Sequence, residues 1–334
     1  MFGKIKPHEK DIRVALSSID HMIIDNIMIN DGHVRAILSC DASHAPQVEI
    51  AAEQAIKTVK GVKRADIIVT AEQKTTPTKP ANTQKINVDA KQIIVVASGK
   101  GGVGKSTVSM NIACGLAKSG QKVGLLDADI YGPSIPRMTG LSGQKPEQGE
   151  HGKIVPLRSH NVDIMSIGFM IGEDNPLIWR GPMVQSAFTQ LLQDVAWKEL
   201  DTLIIDLPPG TGDVQLTMAQ RVPLTGAIIV STPQDIALID VRKGIEMFEK
   251  VNVPILGLIE NMSHYCCPKC GHEDPVFGHG GAKQQAKELN IPFLGDIPLN
   301  AKIRQMADEG QPVDEFYDGV VSEILSKGKE WSSH

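Results

Sequence analysis

Aromatic side chains are scarce: Phe, Trp and Tyr together make up 4% of 334 residues. That leaves few platforms on which single-stranded nucleic acid could stack. An excess of one charge is also missing, since 34 Lys and Arg stand against 39 Asp and Glu for a net charge of -5. This balance argues against a protein that grips a phosphate backbone. No apolar run approaches the ~20 residues of a membrane helix; the longest, such as Ile93–Ala97 and Ala227–Val230, are strand-sized. Behind Met1–Lys6 there is charge but no apolar stretch, so no secretory signal is expected. Five cysteines, three of them crowded at Cys266, Cys267 and Cys270, are too few and too clustered for a disulfide scaffold. The expected setting is a reducing cytoplasm, with neither nucleic acid nor membrane as partner.

Hydrophobic residues at 41% and charged ones at 22% are ordinary globular usage, and the length suits two domains. Ala71–Lys85 holds two prolines and almost no large apolar residue, as a solvated linker does. The expected division is a small α+β domain over 1–72, a linker over 73–90 and a larger domain over 91–334. In the small domain, helical spacing at Ile12, Leu16 and Ile19 gives way to alternation at Val34, Ala36 and Leu38. A second helical face at Val48–Val59 and a β-rich run at Asp66–Thr70 complete an αββαβ order. Beyond the linker, seven short apolar runs alternate with helical stretches: Ile93–Ala97, Val123–Leu126, Val162–Ile167, Leu203–Ile205, Ala227–Val230, Ile255–Ile259 and Phe293–Ile297. Strands apolar on both faces predict an α/β fold whose mostly parallel sheet is covered by helices on both sides. Ligands of such folds sit beyond the carboxyl ends of the strands.

Ile93–Ala97 runs directly into Ser98 and the stretch Gly99-Lys100-Gly101-Gly102-Val103-Gly104-Lys105-Ser106-Thr107, and a helix-compatible segment follows. Gly99–Ser106 fits the spacing of a phosphate-binding loop, in which glycines let backbone N–H groups wrap phosphates. Lys105 is then the cation on the β- and γ-phosphates, and the Ser106 hydroxyl a Mg²⁺ ligand. Two further strands end in carboxylates, Asp127 and Asp129 after Val123–Leu126 and Asp206 after Leu203–Ile205. A carboxylate at a buried strand tip is costly unless it meets a cation or donors; Asp206 fits the residue that holds Mg²⁺ through water. The cofactors expected here are ATP and Mg²⁺.

The additional lysine, Lys100, makes the loop resemble the deviant Walker A motif of the MinD/ParA/nitrogenase-iron-protein class. That resemblance implies a face-to-face homodimer in which Lys100 reaches the partner's nucleotide. It also implies that Asp129, on a segment similar to switch I, orients the attacking water, with Asp127 supporting the metal shell. Asn261, after Ile255–Ile259, is the implied hydrogen-bonding partner of adenine, and Pro298-Leu299-Asn300 a wall of the base pocket.

Cys267-Pro268-Lys269-Cys270-Gly271 has the form of a knuckle in which two thiolates face one point and backbone N–H groups donate to sulfur. Two ligands are half of a metal site. Cys266, His272 or His279 could complete a zinc site; alternatively, Cys267 and Cys270 of two chains could together hold a cluster. Cys114 reads as a small core residue and Cys40 as the end of a strand.

SGKGGVGKST, LLDADIYGPSIPRM, IWRGPM, IIDLPPGTGD and ENMS followed by CPKCG occur in this order, as in the Mrp/ApbC family of P-loop ATPases, and the chain is identified as a member over about residues 90–330. The resemblance implies an ATP-dependent carrier that binds a 4Fe–4S cluster between subunits through Cys267 and Cys270. It further implies apo iron–sulfur proteins as recipients and cluster assembly proteins upstream. The first domain resembles the small cluster-assembly domain preceding many such ATPases, but Ala45 stands at its usual cysteine position. Two other functions compete. One is a MinD/ParA-like spatial organiser with a structural zinc knuckle, which would need a membrane-binding or DNA-binding face. The other is an electron-donating reductase similar to the nitrogenase iron protein. Asp314–Leu325 has apolar residues at helical spacing but is lined with carboxylates, so docking on the ATPase core is expected of it.

Overall fold

Apolar side chains spaced four apart bury one face of each helix in the first part of the chain: Ile12 and Leu16 in α1 (Glu9–Leu16), and Val48, Ala52 and Ile56 in α2 (Ala45–Lys57). The strands between and after them are β1 (Met22–Asn30), β2 (His33–Asp41) and β3 (Arg64–Glu72). In β2, Val34, Ala36, Leu38 and Cys40 alternate inward. β2 lies between the other two, antiparallel to β1 and parallel to β3, which realises the αββαβ order. This computed structural model describes residues 7–17, 19–20, 22–30, 32–41, 44–72, 86–170, 181–210, 212–278 and 280–331. Met1–Lys6, Ser43, most of the expected linker (73–85), Ile178–Arg180, Thr211 and His279 lie outside that set. The chain divides into two compact units, Met1–Asn82 and Thr83–His334. Ile86 and Val88, within the span taken for linker, are buried in the core of the second unit.

The second unit is built on strands apolar on both faces. In chain order its elements are β4 (Ala90–Ala97), α3 (Lys105–Lys118), β5 (Val123–Asp127), α4 (Ile135–Met138), β6 (Leu157–Ser159), β7 (Val162–Ser166), α5 (Gly181–Gln193) and β8 (Leu200–Asp206). There follow α6 (Asp213–Arg221), β9 (Gly226–Ser231), α7 (Asp235–Lys250), β10 (Ile255–Cys266), β11 (Glu273–Asp274), α8 (Gly281–Glu288), β12 (Phe293–Leu299), α9 (Ala301–Asp308) and α10 (Asp318–Trp331). Among the described residues the sheet has nine strands, ordered β11-β10-β9-β4-β8-β5-β7-β6, with β12 also on β10. All seven expected runs are strands, and they pair in parallel. The antiparallel pairings are those of the short strands β6 and β11. Parallel pairing aligns the carboxyl ends of β4, β5 and β8, so Asp127 sits opposite Asp206, and Asp206 opposite Val96.

The C-terminal segment differs from the single helix its spacing suggests. Asp314–Phe316 is a 3-10 turn, and α10 starts only at Asp318. Tyr317 at the break is fully buried, and with Val320, Val321 and Ile324 it docks on the core as expected. No helix among the described residues is long and apolar enough to cross a membrane.

Close strand packing makes Gly226, at the start of β9, intolerant of a side chain. A Cβ there would lie 2.5 Å from Leu256 Cγ and 2.7 Å from the Pro254 carbonyl oxygen, and the backbone oxygen cannot swing away. Gly226→Ala is expected to destabilise the second unit by about 1–3 kcal/mol, read as a lower urea midpoint at unchanged slope. An unchanged midpoint would mean that β9 and β10 separate freely.

A candidate nucleotide site and a cysteine knuckle

Between β4 and α3 the backbone must turn sharply while aiming its N–H groups inward. Gly102 and Gly104 take left-handed backbone angles there, with φ of +80° and +81°. Gly104 is also hemmed in, because a Cβ would run into the Asn261 amide nitrogen. Ser98 Oγ donates to the Lys100 carbonyl at 2.9 Å and ties the loop across its base. Gly99, Gly101 and Val103 complete the cradle, Val103 buried beneath it, and Thr107 follows in the first turn of α3.

At the mouth of this cradle the expected residues converge. Lys105 Nζ lies 2.8 Å from Asp206 Oδ1, with the two side chains 6% and 0% exposed. Ser106 Oγ donates to Asp206 Oδ2 at 2.5 Å. Ser109 Oγ, one helical turn beyond Lys105, donates to Asp206 Oδ1 at 2.7 Å. Asp127, fully buried, accepts from the Asp129 N–H at 3.1 Å, the Ile135 N–H at 3.3 Å and Ser166 Oγ at 3.0 Å. Burial, and then the neighbouring Asp206 charge, push its carboxyl up to about 7 despite those donors and Lys105. Asp129 is half-buried and is also raised, chiefly by desolvation. The hydroxyl and carboxylate oxygens of Ser106 and Asp206 form the hard donor set that suits Mg²⁺. Lys100 Nζ donates to Gln234 Oε1 of its own chain at 3.1 Å.

Asn261 is buried under the loop and gives an amide hydrogen to the Val103 carbonyl at 2.7 Å. It also lines a cavity of about 370 Å³ together with Gly104, Thr107, Met138 and the Pro298–Asn300 segment. Three groups in this region escaped sequence reading. Ser109 was discoverable from its four-residue offset from Lys105; Ser166 and Gln234 are brought in by tertiary pairing alone.

The thiols lie on another loop. β10 runs past its apolar half to Cys266 and pairs with β11 through Tyr265–Asp274 and Cys266–Glu273. The turn between them is closed by Cys267 N–H to the His272 carbonyl at 2.9 Å and Gly271 N–H to the Cys267 carbonyl at 2.8 Å, with Gly271 at φ +72°. N–H groups of Lys269 and Cys270, and the Cys270 thiol, donate to the Cys267 sulfur and lower its pKa. Cys266 Sγ instead faces the Gly271 carbonyl, 3.9 Å away. Among the described residues no group of three or more His, Cys, Asp and Glu side chains converges to hold a metal. Cys114 is buried in α3, its thiol raised to about 12 by desolvation and then by the Asp314 charge. Cys40 is buried in the first unit's core.

The Asp127 shift has a direct consequence for folding. Its carboxyl titrates at 3.8 when unfolded and at about 7 in the native chain. The native state therefore holds a proton the unfolded state has released, and this group's contribution falls as pH rises from about 4 to 7. Asp127→Asn is expected to flatten the decline in unfolding free energy over that window, measured by urea titration without nucleotide or Mg²⁺. An identical decline in parent and variant would place the titration elsewhere.

A family model described as ParA, NUBPL iron-transfer P-loop NTPase, matches residues 89–327. The chain is 53% identical over 234 residues to the iron-sulfur cluster carrier protein of Haemophilus influenzae, covering 70% of this chain and 63% of that protein, so it spans about three-fifths of that relative's length. With the iron-sulfur cluster transfer protein NUBPL of Mus musculus it shares 54% identity over 232 residues, covering 69% of this chain and 72% of the other. The iron-sulfur cluster carrier protein of Synechocystis is 43% identical over 316 residues, 91% of this chain and 88% of that protein. Among solved structures, a nucleotide-binding protein of Archaeoglobus fulgidus in complex with ADP superposes with a TM-score of 0.60 at 40% identity, covering 69% of this chain and 89% of that one. The cell division ATPase MinD of Pyrococcus furiosus, at TM-score 0.52 and 20% identity over 71% and 99% of the two chains, shares the fold. Loop, strand-end carboxylates and sequence similarity lead to one assignment: the chain belongs to the NUBPL iron-transfer family of ParA-type P-loop NTPases.

Proposed function

We propose that the protein is an ATP-dependent carrier of iron–sulfur clusters. Two copies close face to face over ATP and hold one 4Fe–4S cluster as cargo on Cys267 and Cys270 of each chain. The cluster comes from assembly proteins and passes to apo iron–sulfur proteins in the cytoplasm. The observation that carries this reading is the knuckle: the Cys270 thiol hydrogen-bonds the Cys267 sulfur, and no third ligand joins them among the described residues. A second copy supplies two more thiolates, which brings the total to the four that a 4Fe–4S cluster takes. The names of the relatives support the cargo.

Bound Mg·ATP supplies the transferable phosphoryl group and the cation that balances its charge. The chain's own residues bind and orient it. Lys105, now paired with Asp206, turns to the β- and γ-phosphates, leaving Asp206 and Ser106 to hold Mg²⁺. Asp129 accepts a hydrogen bond from the attacking water, and Lys100 leaves Gln234 for the partner's nucleotide. Asn261 and the Pro298–Asn300 segment frame the base. The spatial-organiser alternative finds no support in α10, whose apolar face is spent on the core.

Lys105→Ala is expected to lower ATP turnover by about 100-fold or more while iron loading persists, since the thiols lie on a separate loop. Lys100→Ala should reduce turnover while monomer nucleotide affinity, read by calorimetry, stays at the parental value. Turnover at the parental rate in Lys105→Ala would refute the phosphate assignment.

After anaerobic reconstitution, Cys267→Ala and Cys270→Ala should each lose the cluster, whereas Cys266→Ala should keep most of its iron and sulfide. Metal analysis of separated monomer and dimer fractions checks this. Full iron loading of a Cys270→Ala dimer, or stoichiometric zinc on the monomer, would remove the carrier reading.

A further inference from the structure

Four residues connect the acidic centre to the cavity that the preceding reading assigns to the base. α4 is only Ile135–Met138, yet both its ends are committed. At its start, the Ile135 N–H donates to Asp127, whose strand position is paired with Asp206. On its far side, Arg137 and Met138 line the cavity with Asn261 and Gly104. Thr107, which follows the Mg²⁺-ligating Ser106, donates to Met138 Sδ at 3.6 Å.

Across the cavity mouth Arg137 meets α9. Its guanidinium lies 3.3 Å from Asp308 Oδ1, and Arg304 holds the other oxygen, Oδ2, at 2.8 Å. The two segments also touch through backbone just beyond their helices. A Cβ on Gly310 would lie 2.6 Å from the Gly140 nitrogen, and His160 Nε2 lies 2.9 Å from the Gly310 carbonyl. The Arg137–Asp308 pair is 73% and 45% exposed, and exposed pairs contribute little to folding. Its position is therefore informative in another way. The pair joins two lining elements of one site, one of them fastened to the other site.

We propose that Arg137 is a positioning residue that couples the two ends of the nucleotide. A cation and terminal phosphate held at Asp206 and Ser106 act on Asp127, and through the Ile135 N–H on the placement of α4. The placement of α4 sets where the Arg137 guanidinium stands relative to Asp308, and so how the rim closes over a purine. Coupling of this kind is reciprocal: a base under the rim favours the α4 position that suits the triphosphate. The chain thereby distinguishes nucleoside triphosphate from diphosphate at the base end as well as at the phosphate end. This inference rests on the reading of the cavity as the base site.

The test is calorimetric titration of the full-length chain with Mg·ADP and with Mg plus a non-hydrolysable ATP analogue. The parent should bind the analogue more tightly, and Arg137→Ala and Asp308→Ala should each shrink that preference by about fivefold or more. The double variant should add nothing further, and Arg137→Lys should recover part of the preference. The apo thermal midpoint, which a merely structural role would lower, should stay at the parental value. Parental ratios in all variants, or equal weakening of both nucleotides, would overturn the proposal. A parent that binds neither nucleotide would instead remove the base-site reading, and this inference with it.

Discussion

The buried carboxylate of Asp206 is the constraint around which the second unit is arranged. A side chain with no exposure cannot carry charge cheaply, and this one meets that cost with Lys105, Ser106 and Ser109, all from the first turns of α3. The start of α3, the bend of the glycine loop and the ends of β4 and β8 must therefore arrive at one place. Parallel pairing delivers the strand ends, and left-handed glycines allow the loop to close the remaining gap. Asp127 lies farther from that cation, and burial beside the Asp206 charge raises its pKa.

The second centre follows the opposite logic. The thiols lie at the end of β10, on a two-strand turn away from the core, where the Cys267 sulfur accepts from backbone N–H groups and from the Cys270 thiol. The same strand carries Asn261 beneath the glycine loop, so the cavity that Asn261 lines and the thiols share one structural element. At a rise of about 3.3 Å per residue they are neighbours along the chain without sharing a ligand.

Much of this was legible in sequence because the strands are buried on both faces and so stand out as unbroken apolar runs. The exceptions have physical reasons. β6 and β11 are three and two residues long, too short for any period to show. β10 continues through Glu260–Cys266, a mostly polar stretch that breaks at Met262, where φ is +59°, and is held in the sheet by β12 and β11 rather than by its own composition. In the C-terminal segment the helical spacing of Phe316 and Val320 concealed a break at Tyr317. The glycine loop and the strand-end carboxylates could be read directly, since contiguous residues form them. Ser166 and Gln234 could not, because a lone polar residue after a strand reveals nothing of what lies across the sheet. Arg137 lay within a quoted motif, yet its meaning depends on Asp308, far away along the chain.

With the cluster shared between two copies as proposed, a knuckle of two thiols per chain would make retention of cargo second order in protein. A site complete within one chain keeps its metal at any dilution above its dissociation constant, whereas a site divided between two chains empties when they part. Release would then require no competing ligand inside the chain and no strain in the turn. It would be set by whatever governs the distance between two copies, and the abundance of the protein itself would become a determinant of how much cargo it can keep.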